Sequence, residues 1–238
     1  MKISATFTPA EFEARDVSGA TVVIIDCFRA STSIVAALSA GASAVYPFPS
    51  VAQAREAART RPGAVLAGER EGARIPGFDL GNSPGEFSTK SVGGRDVMMT
   101  TTNGTRLLAA AGKAADAYVA AFVNAAATAD ALLRRGGDVI LAAAGTEGSF
   151  SVEDALCGGL IAAGISGASG ATFDDGAAFA ILGYERTRGD LRAAALLGRG
   201  AANVRALGLD VDLEACLLVD SMPVVARAVR EPLRVVKS

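Results

Sequence analysis

The chain has 238 residues, half of them hydrophobic, with 25 acidic against 23 basic side chains and a formal net charge of −2. This length buries a full core, as one large α/β domain or two small intertwined ones, and the weak charge gives no basis for a nucleic acid or an anionic membrane as partner. The complete absence of His excludes Ser-His-Asp hydrolysis, phosphohistidine chemistry and His-ligated zinc, which leaves carboxylate, hydroxyl, Arg, Lys and hard-cation chemistry.

Ile3, Ala5 and Phe7 alternate with polar residues before Thr8-Pro9 and predict a short strand closed by a turn. Residues 21–25 are an almost uninterrupted β-branched run, as in a strand covered on both faces. A helix over 31–40 follows, with a polar start and Gly41 as its stop. A strand at 45–48, a helix at 51–59 and a buried strand at 65–67 ending at Gly68-Glu69-Arg70 come next. Residues 75–87 read as a loop whose length is uncommon in a compact domain unless it is functional.

Strands at 97–99, 117–122 and 138–142 alternate with helices at 105–111, 124–135 and 153–163, and 164–170 is the exit of the last helix. From Asp174 onward two or three helices are expected, with segments at 187–197 and 200–207, then a strand near Val224 and another candidate at 233–236. This last third reads as poor in chemistry, with Asp210, Asp212 and Glu214 on the surface. No stretch reads as a linker, so residues 1–238 form a single unit. No apolar run approaches the roughly 20 residues that span a bilayer, and the start of the chain is strand-like, which predicts a cytoplasmic location. Cys27, Cys157 and Cys216 are far apart and lack metal-site spacing, so neither a disulfide framework nor a zinc site is expected.

Three times an apolar run breaks into a polar turn and then a helix. These are 22–25 into Asp26-Cys27-Phe28-Arg29-Ala30-Ser31-Thr32-Ser33, 97–99 into Thr100-Thr101-Thr102-Asn103-Gly104-Thr105-Arg106, and 139–141 into 142–154 with Glu153-Asp154. At the carboxyl ends of parallel strands such turns offer helix N-terminal N–H groups to a ligand, so the three together read as one composite anion and metal site. Asp26, ending a buried strand, must bind a metal, accept backbone N–H bonds or meet Arg29. Ser31, Thr32 and Ser33 suit helix caps and an oxyanion cradle equally, and so do residues 101–106.

Those strings, with Gly68-Glu69-Arg70, Pro76-Gly77-Phe78-Asp79-Leu80-Gly81-Asn82-Ser83-Pro84, and Ala143-Ala144-Gly145-Thr146 followed by Ser151-Val152-Glu153-Asp154, closely resemble the 2-phosphosulfolactate phosphatase family, also called the ComB family. The similarity runs from about Ile3 to Pro223. It implies a three-layer α/β/α architecture and a magnesium-dependent acid phosphatase that hydrolyses 2-phosphosulfolactate to sulfolactate and phosphate, a step in coenzyme M biosynthesis.

On this reading Asp26, Arg29, Glu69 and Asp79 carry catalysis, and Asp26, Glu69, Asp79, Glu153 and Asp154 are the candidate metal ligands, one of them serving better as general base. Oxygen-only ligation selects Mg²⁺, Mn²⁺ or Ca²⁺ over zinc or copper. Ser31, Thr32, Arg70, Asn82, Ser83, Thr101, Thr102, Asn103, Gly104 and Thr105 are the candidate substrate contacts, with Arg70 either in a surface ion pair or gripping a second anionic group of a small phosphorylated substrate. The alternatives are a phosphatase, phosphotransferase or lyase acting on another phospho-hydroxyacid, and a non-catalytic sensor of phosphorylated or sulfonated metabolites. The Ala-rich helices also suit a homo-oligomer.

Overall fold

A computed structural model describes residues 1–101, 104–167 and 170–238, and the side chains of all of these except 104–106. In chain order, β1 (Lys2–Thr6), α1 (Pro9–Glu13), β2 (Thr21–Ile25), α2 (Ala30–Ser39), β3 (Ala44–Pro47), α3 (Val51–Arg59), β4 (Val65–Arg70) and β5 (Ala73–Arg74) come first. They are followed by α4 (Thr89–Val92), β6 (Asp96–Thr100), α5 (Gly104–Ala110), β7 (Asp116–Ala120), α6 (Ala125–Arg135), β8 (Val139–Ala143) and α7 (Val152–Ser166). The chain ends in β9 (Thr172–Phe173), α8 (Asp175–Thr187), α9 (Leu191–Ala195), α10 (Arg199–Ala206), α11 (Asp210–Cys216), β10 (Ala226–Val229) and β11 (Arg234–Lys237).

The strands form one mixed sheet in the order β5-β4-β6-β3-β11-β10-β7-β2-β8-β1-β9. Every residue of β2, β7 and β8 is buried, which explains why their sequences are continuous apolar runs rather than alternating ones. Helices α6, α7 and α8 pack in a row along β7, β2, β8 and β1, while α1 and α5 pack together against β1, β8 and β2. Both faces are thus covered, and the architecture is three-layer α/β/α.

The sheet consists of two parallel blocks, β4-β6-β3 and β7-β2-β8-β1, separated by the antiparallel hairpin β10–β11. Three successive antiparallel pairings leave the blocks opposed in strand direction. In a flat sheet the carboxyl ends of β2 and β4 would lie at opposite edges. Strand twist of roughly 20–25° per neighbour accumulates across the intervening strands and swings one block round toward the other. Helix α2, buried at nine of its ten residues, bridges β7, β10, β11 and β3 at this junction.

The end of the chain differs most from expectation. The Asp174 carboxylate caps Ala177 N–H at 2.8 Å, so a helix starts at Asp175 and ends at Thr187, where the sequence had suggested one beginning. Asp190 then recaps α9 through Ala193 N–H, giving four helices rather than two or three. Strand β7 stops at Ala120 because Asn124 takes over the backbone groups beyond it, accepting from Ala121 N–H at 2.9 Å and donating to Val119 O at 3.2 Å.

Close packing of α7 on α8 depends on Gly159, where an added Cβ would lie 2.0 Å from Ala180 O and 2.9 Å from Tyr184 Cβ. At the adjacent Gly158 the nearest atom would be Ile25 Cδ1 at an ordinary 3.6 Å. Gly→Ala in a helix ordinarily gains up to about 1 kcal/mol. Overpacking against rigid backbone costs about 1–3 kcal/mol and outweighs that gain. Urea unfolding should therefore show Gly159→Ala destabilised and Gly158→Ala neutral or stabilised.

Candidate active site

The turn after β2 is built around Asp26, whose carboxylate is buried and accepts Ala30 N–H at 3.3 Å at the start of α2. The hydroxyls that follow are spent on local backbone. Ser31 Oγ accepts Asp26 N–H at 3.0 Å and donates to Ile24 O at 3.4 Å, Thr32 Oγ1 donates to Cys27 O at 2.8 Å, and Ser33 Oγ donates to Asn82 O at 2.8 Å. Ser31 and Thr32 therefore brace the turn behind the site. Asp26, Phe28, Arg29 and Ala30 are its cavity-facing members.

Arg29 is 5% exposed, and its guanidinium draws three distant segments together. Nη1 donates to Asp212 Oδ2 at 2.6 Å and to Ser83 Oγ at 3.2 Å, and Nη2 donates to Gly72 O at 2.7 Å. Ser83 Oγ in turn donates to the same Asp212 oxygen at 2.7 Å. This corrects the expected surface position of Asp212, which is 6% exposed. Helix α11 turns Asp212 inward together with Leu213 and Cys216, and the carboxylate neutralises a guanidinium that could not otherwise leave water.

Strand β4 supplies Gly68, Glu69 and Arg70. Gly68 has φ +152°, and a Cβ there would sit 2.1 Å from Thr100 O, so only glycine lets β4 run this close to β6. Glu69 is buried and its Oε2 accepts Gly72 N–H at 2.7 Å. Arg70 is half-buried, donating to Glu69 O at 2.7 Å and to Thr100 Oγ1 at 2.8 Å.

These elements enclose a cavity of about 610 Å³. Of the residues expected from sequence, it brings together Asp26, Arg29, Glu69, Arg70, Asn82 and Thr101. Ser83 stands just behind, on Arg29. Thr102 and Asn103 lie outside the described residues, as does the side chain of Thr105, and Gly104 opens α5.

Asp79 stands apart from this group. It is exposed, and its Oδ2 accepts Leu66 N–H at 2.8 Å near the beginning of β4, before the strand reaches the cavity at Glu69. Its acid fixes the 75–87 loop along the strand, where Leu80 N–H also donates to Leu66 O.

Glu153 and Asp154, in the first turn of α7, do different things. Asp154 spends both oxygens on backbone, accepting Cys27 N–H at 2.8 Å and Gly145 N–H at 3.1 Å, which stitches the turn after β2 to the turn after β8. Burial raises its carboxyl well above the ordinary range, with Glu153 and Asp26 adding to the rise and the two N–H bonds opposing it. Glu153 is 1% exposed, and among the described residues its Oε2 has no hydrogen-bond partner. Burial raises Glu153 to about 7; a bond from its own N–H opposes this, and the Asp26 charge adds to it.

A hard cation needs one or two carboxylates and several further oxygens. The expected five-acid set does not assemble, since among the described residues no three acidic or thiol side chains are arranged to hold a metal ion together. Asp26 with Glu153 does fit: the two carboxylates sense each other, and the buried Glu153 Oε2 lacks a counter-group among the described residues.

Several lining residues were not expected. Thr146 and Glu147 follow β8, and Gly200, Asn203 and Leu207 come from α10 and its end. A Cβ at Gly200 would lie 2.0 Å from Glu153 Oε1, so α10 rests directly on that carboxylate. Sequence carried one usable signal here: Asp212 lies four residues before Cys216, on the apolar face of its helix.

The family model described as 2-phosphosulpholactate phosphatase matches residues 6–231. A probable 2-phosphosulfolactate phosphatase from Synechococcus sp. is 37% identical over 238 residues, covering 97% of each chain. One from Clostridium botulinum (strain Eklund 17B) is 34% identical over 230 residues, covering 94% of this chain and 96% of its own. Another so named, from Carboxydothermus hydrogenoformans, is 40% identical over 161 residues, 68% of this chain and 66% of its own. With the family match spanning almost every element that shapes the cavity, the chain belongs to the 2-phosphosulpholactate phosphatase family.

Proposed function

We propose that this chain is a phosphatase that hydrolyses 2-phosphosulfolactate to sulfolactate and phosphate, a reaction of the coenzyme M type, with Mg²⁺ held by Asp26 and Glu153. The observation that carries this reading is a cavity lined by carboxylates and guanidinium groups together, Asp26 and Glu69 with Arg29 and Arg70, and a buried Glu153 close enough to Asp26 to feel its charge. A site for a neutral ligand would need neither, and a pure anion binder would not line its cavity with acids. The family and the names of the relatives support the same reaction.

Held by Asp26 and Glu153, a Mg²⁺ ion would supply charge neutralisation for a phosphoryl group. The chain's own groups do the rest. Arg29 and Arg70 bind the multiply charged substrate, and Asn82 and Thr101 line the same wall with polar groups. Glu69, buried at the cavity edge and anchored on Gly72 N–H, takes the proton from the attacking water. The cover of α10 limits bulk water and strengthens each of these charges.

Asp26→Asn keeps the cap on α2 but removes the charge, so circular dichroism should show a folded protein while phosphate release from 2-phosphosulfolactate falls by at least about 100-fold. A folded Asp26→Asn protein with wild-type turnover removes Asp26 from the site.

EDTA should abolish phosphate release, with Mg²⁺ or Mn²⁺ restoring it and Zn²⁺ restoring little, because the site offers oxygen donors only. Full turnover in a chelated sample would overturn the cation assignment.

The raised Glu153 carboxyl makes a separate prediction for the metal-free protein. Its folded value of about 7 lies above the ordinary 4.5, so the folded state holds the proton more tightly. Stability from this group is present below pH 4.5 and is lost as pH rises through 7, by about 3 kcal/mol. Thermal melts should show this decline in wild type and a flatter profile in Glu153→Gln, with Mg²⁺ raising the wild-type midpoint more at pH 8 than at pH 5.

A further inference from the structure

We infer that Asp212 is a positioning residue for the reaction: with Ser83 and the Gly72 carbonyl it fixes the Arg29 guanidinium against the substrate. The inference rests on the phosphatase reading, in which Arg29 stabilises charge on the transferring group.

Arg29 borders the cavity, yet both Nη1 hydrogens are committed, one to Asp212 Oδ2 at 2.6 Å and one to Ser83 Oγ at 3.2 Å. Nη2 gives one hydrogen to Gly72 O at 2.7 Å. Among the described residues the remaining Nη2 hydrogen and Nε–H have no protein acceptor, and these are the donors left for an anion. A guanidinium held at three points cannot swing about its long stem, so its remaining donors are pre-oriented without loss of rotamer entropy on binding.

The supporting atoms come from three different places in the chain. Gly72 has φ +79° in the turn between β4 and β5, and its N–H is itself held by Glu69 Oε2 at 2.7 Å. Ser83 lies in the long loop and donates to the same Asp212 oxygen that receives Arg29. Asp212 sits on α11, which packs with α10 in a small apolar cluster of Ala201, Val204 and Leu213, with Phe28 against it. The helix that delivers Asp212 is thus packed on the helix that walls the cavity. Seating α10 and α11 and aligning Arg29 are one event.

A purely structural ion pair would affect folding and leave the chemistry alone, so the test must read chemistry. Phosphate release from 2-phosphosulfolactate is measured for Asp212→Asn, Asp212→Glu, Arg29→Ala and the Arg29→Ala/Asp212→Asn double variant, with unfolding midpoints for each. Asp212→Asn should lower kcat by about 10- to 100-fold with KM changed less than about threefold, and Asp212→Glu should recover part of the loss. Arg29→Ala should lose about 100- to 1000-fold.

The decisive arm adds guanidinium ion at a sub-denaturing concentration, which can enter from the cavity. It should restore Arg29→Ala by about tenfold or more and the double variant by less than about twofold, because without Asp212 the free cation keeps only the neutral acceptors Ser83 Oγ and Gly72 O. Equal rescue of both variants, or wild-type kcat in Asp212→Asn, overturns the assignment. If Arg29→Ala does not fold, a double-mutant cycle of Arg29→Lys with Asp212→Asn replaces it: non-additive losses in kcat are expected, and additive losses overturn the inference. If wild type releases no phosphate, the functional reading fails by itself. Calorimetry with inorganic phosphate then decides the positioning role, with about tenfold weaker binding to Asp212→Asn expected and equal binding overturning it.

Discussion

A guanidinium cannot be taken out of water without partners, and in this fold that requirement falls on Arg29, 5% exposed at the start of α2. Its acceptors come from the turn after β4, the long loop and a helix near the end of the chain, at Gly72, Ser83 and Asp212. All three lie more than 40 residues from Arg29 in sequence. Removing either charge would leave the other buried and uncompensated, whereas the pair itself adds little net stability over an apolar replacement. Its consequence is specificity of arrangement. The loop and the α10–α11 pair can take only the position in which this charge is satisfied, and that position encloses the cavity.

On the other side of the cavity a carboxylate does the corresponding work. Asp154 accepts N–H groups from Cys27 and Gly145, joining the turns that follow the adjacent strands β2 and β8. Backbone N–H groups that leave a sheet edge need acceptors, and a buried acid at a helix start offers two oxygens in the favourable field of the helix N-terminus. Asp79 serves similarly at Leu66 on the edge of β4. Asp154 has committed both of its oxygens in this way, whereas Asp79 uses Oδ2 alone and stands outside the cavity. That divides the acidic residues near the strand ends by role more sharply than their positions in sequence could.

Much of the scaffold was legible because it depends on local pattern. The β-branched run at 21–25 is β2, and the Ser50 cap before an amphipathic run gives α3 at Val51–Arg59. Asp26, Glu69 and Arg70 were legible for the same reason, being polar residues at the ends of buried strands. Other features depend on tertiary satisfaction. Asp79 and Asp154 look like ligands until their hydrogen bonds are known, and Ser31 and Thr32 turn out to spend their hydroxyls on the turn itself. The wall formed by α10 was invisible because Gly200, Asn203 and Leu207 carry no reactive group; they matter through what they cover. The insertion of β10 and β11 between the two parallel blocks was equally hidden, because pairing partners are set by long-range packing.

The arrangement of the acids also bears on why the site tolerates its own repulsion. Asp26, Glu153 and Asp154 share one buried region, and two of them are pushed upward in part by the charge of the others. Such a cluster can relax by protonation or by gaining a cation. Glu153, raised to about 7, holds its proton near neutrality, while Asp154 is tied down by backbone donors. Asp26 lines the cavity, and Glu153 lies directly under α10, where it feels the Asp26 charge. A divalent cation held by these two would offset the repulsion and charge Glu153 at once, and an anionic ligand would then meet a less negative wall. On the proposed function, anion binding would follow neutralisation of the acids, whose charge would otherwise oppose the attraction of Arg29 and Arg70 for a polyanion.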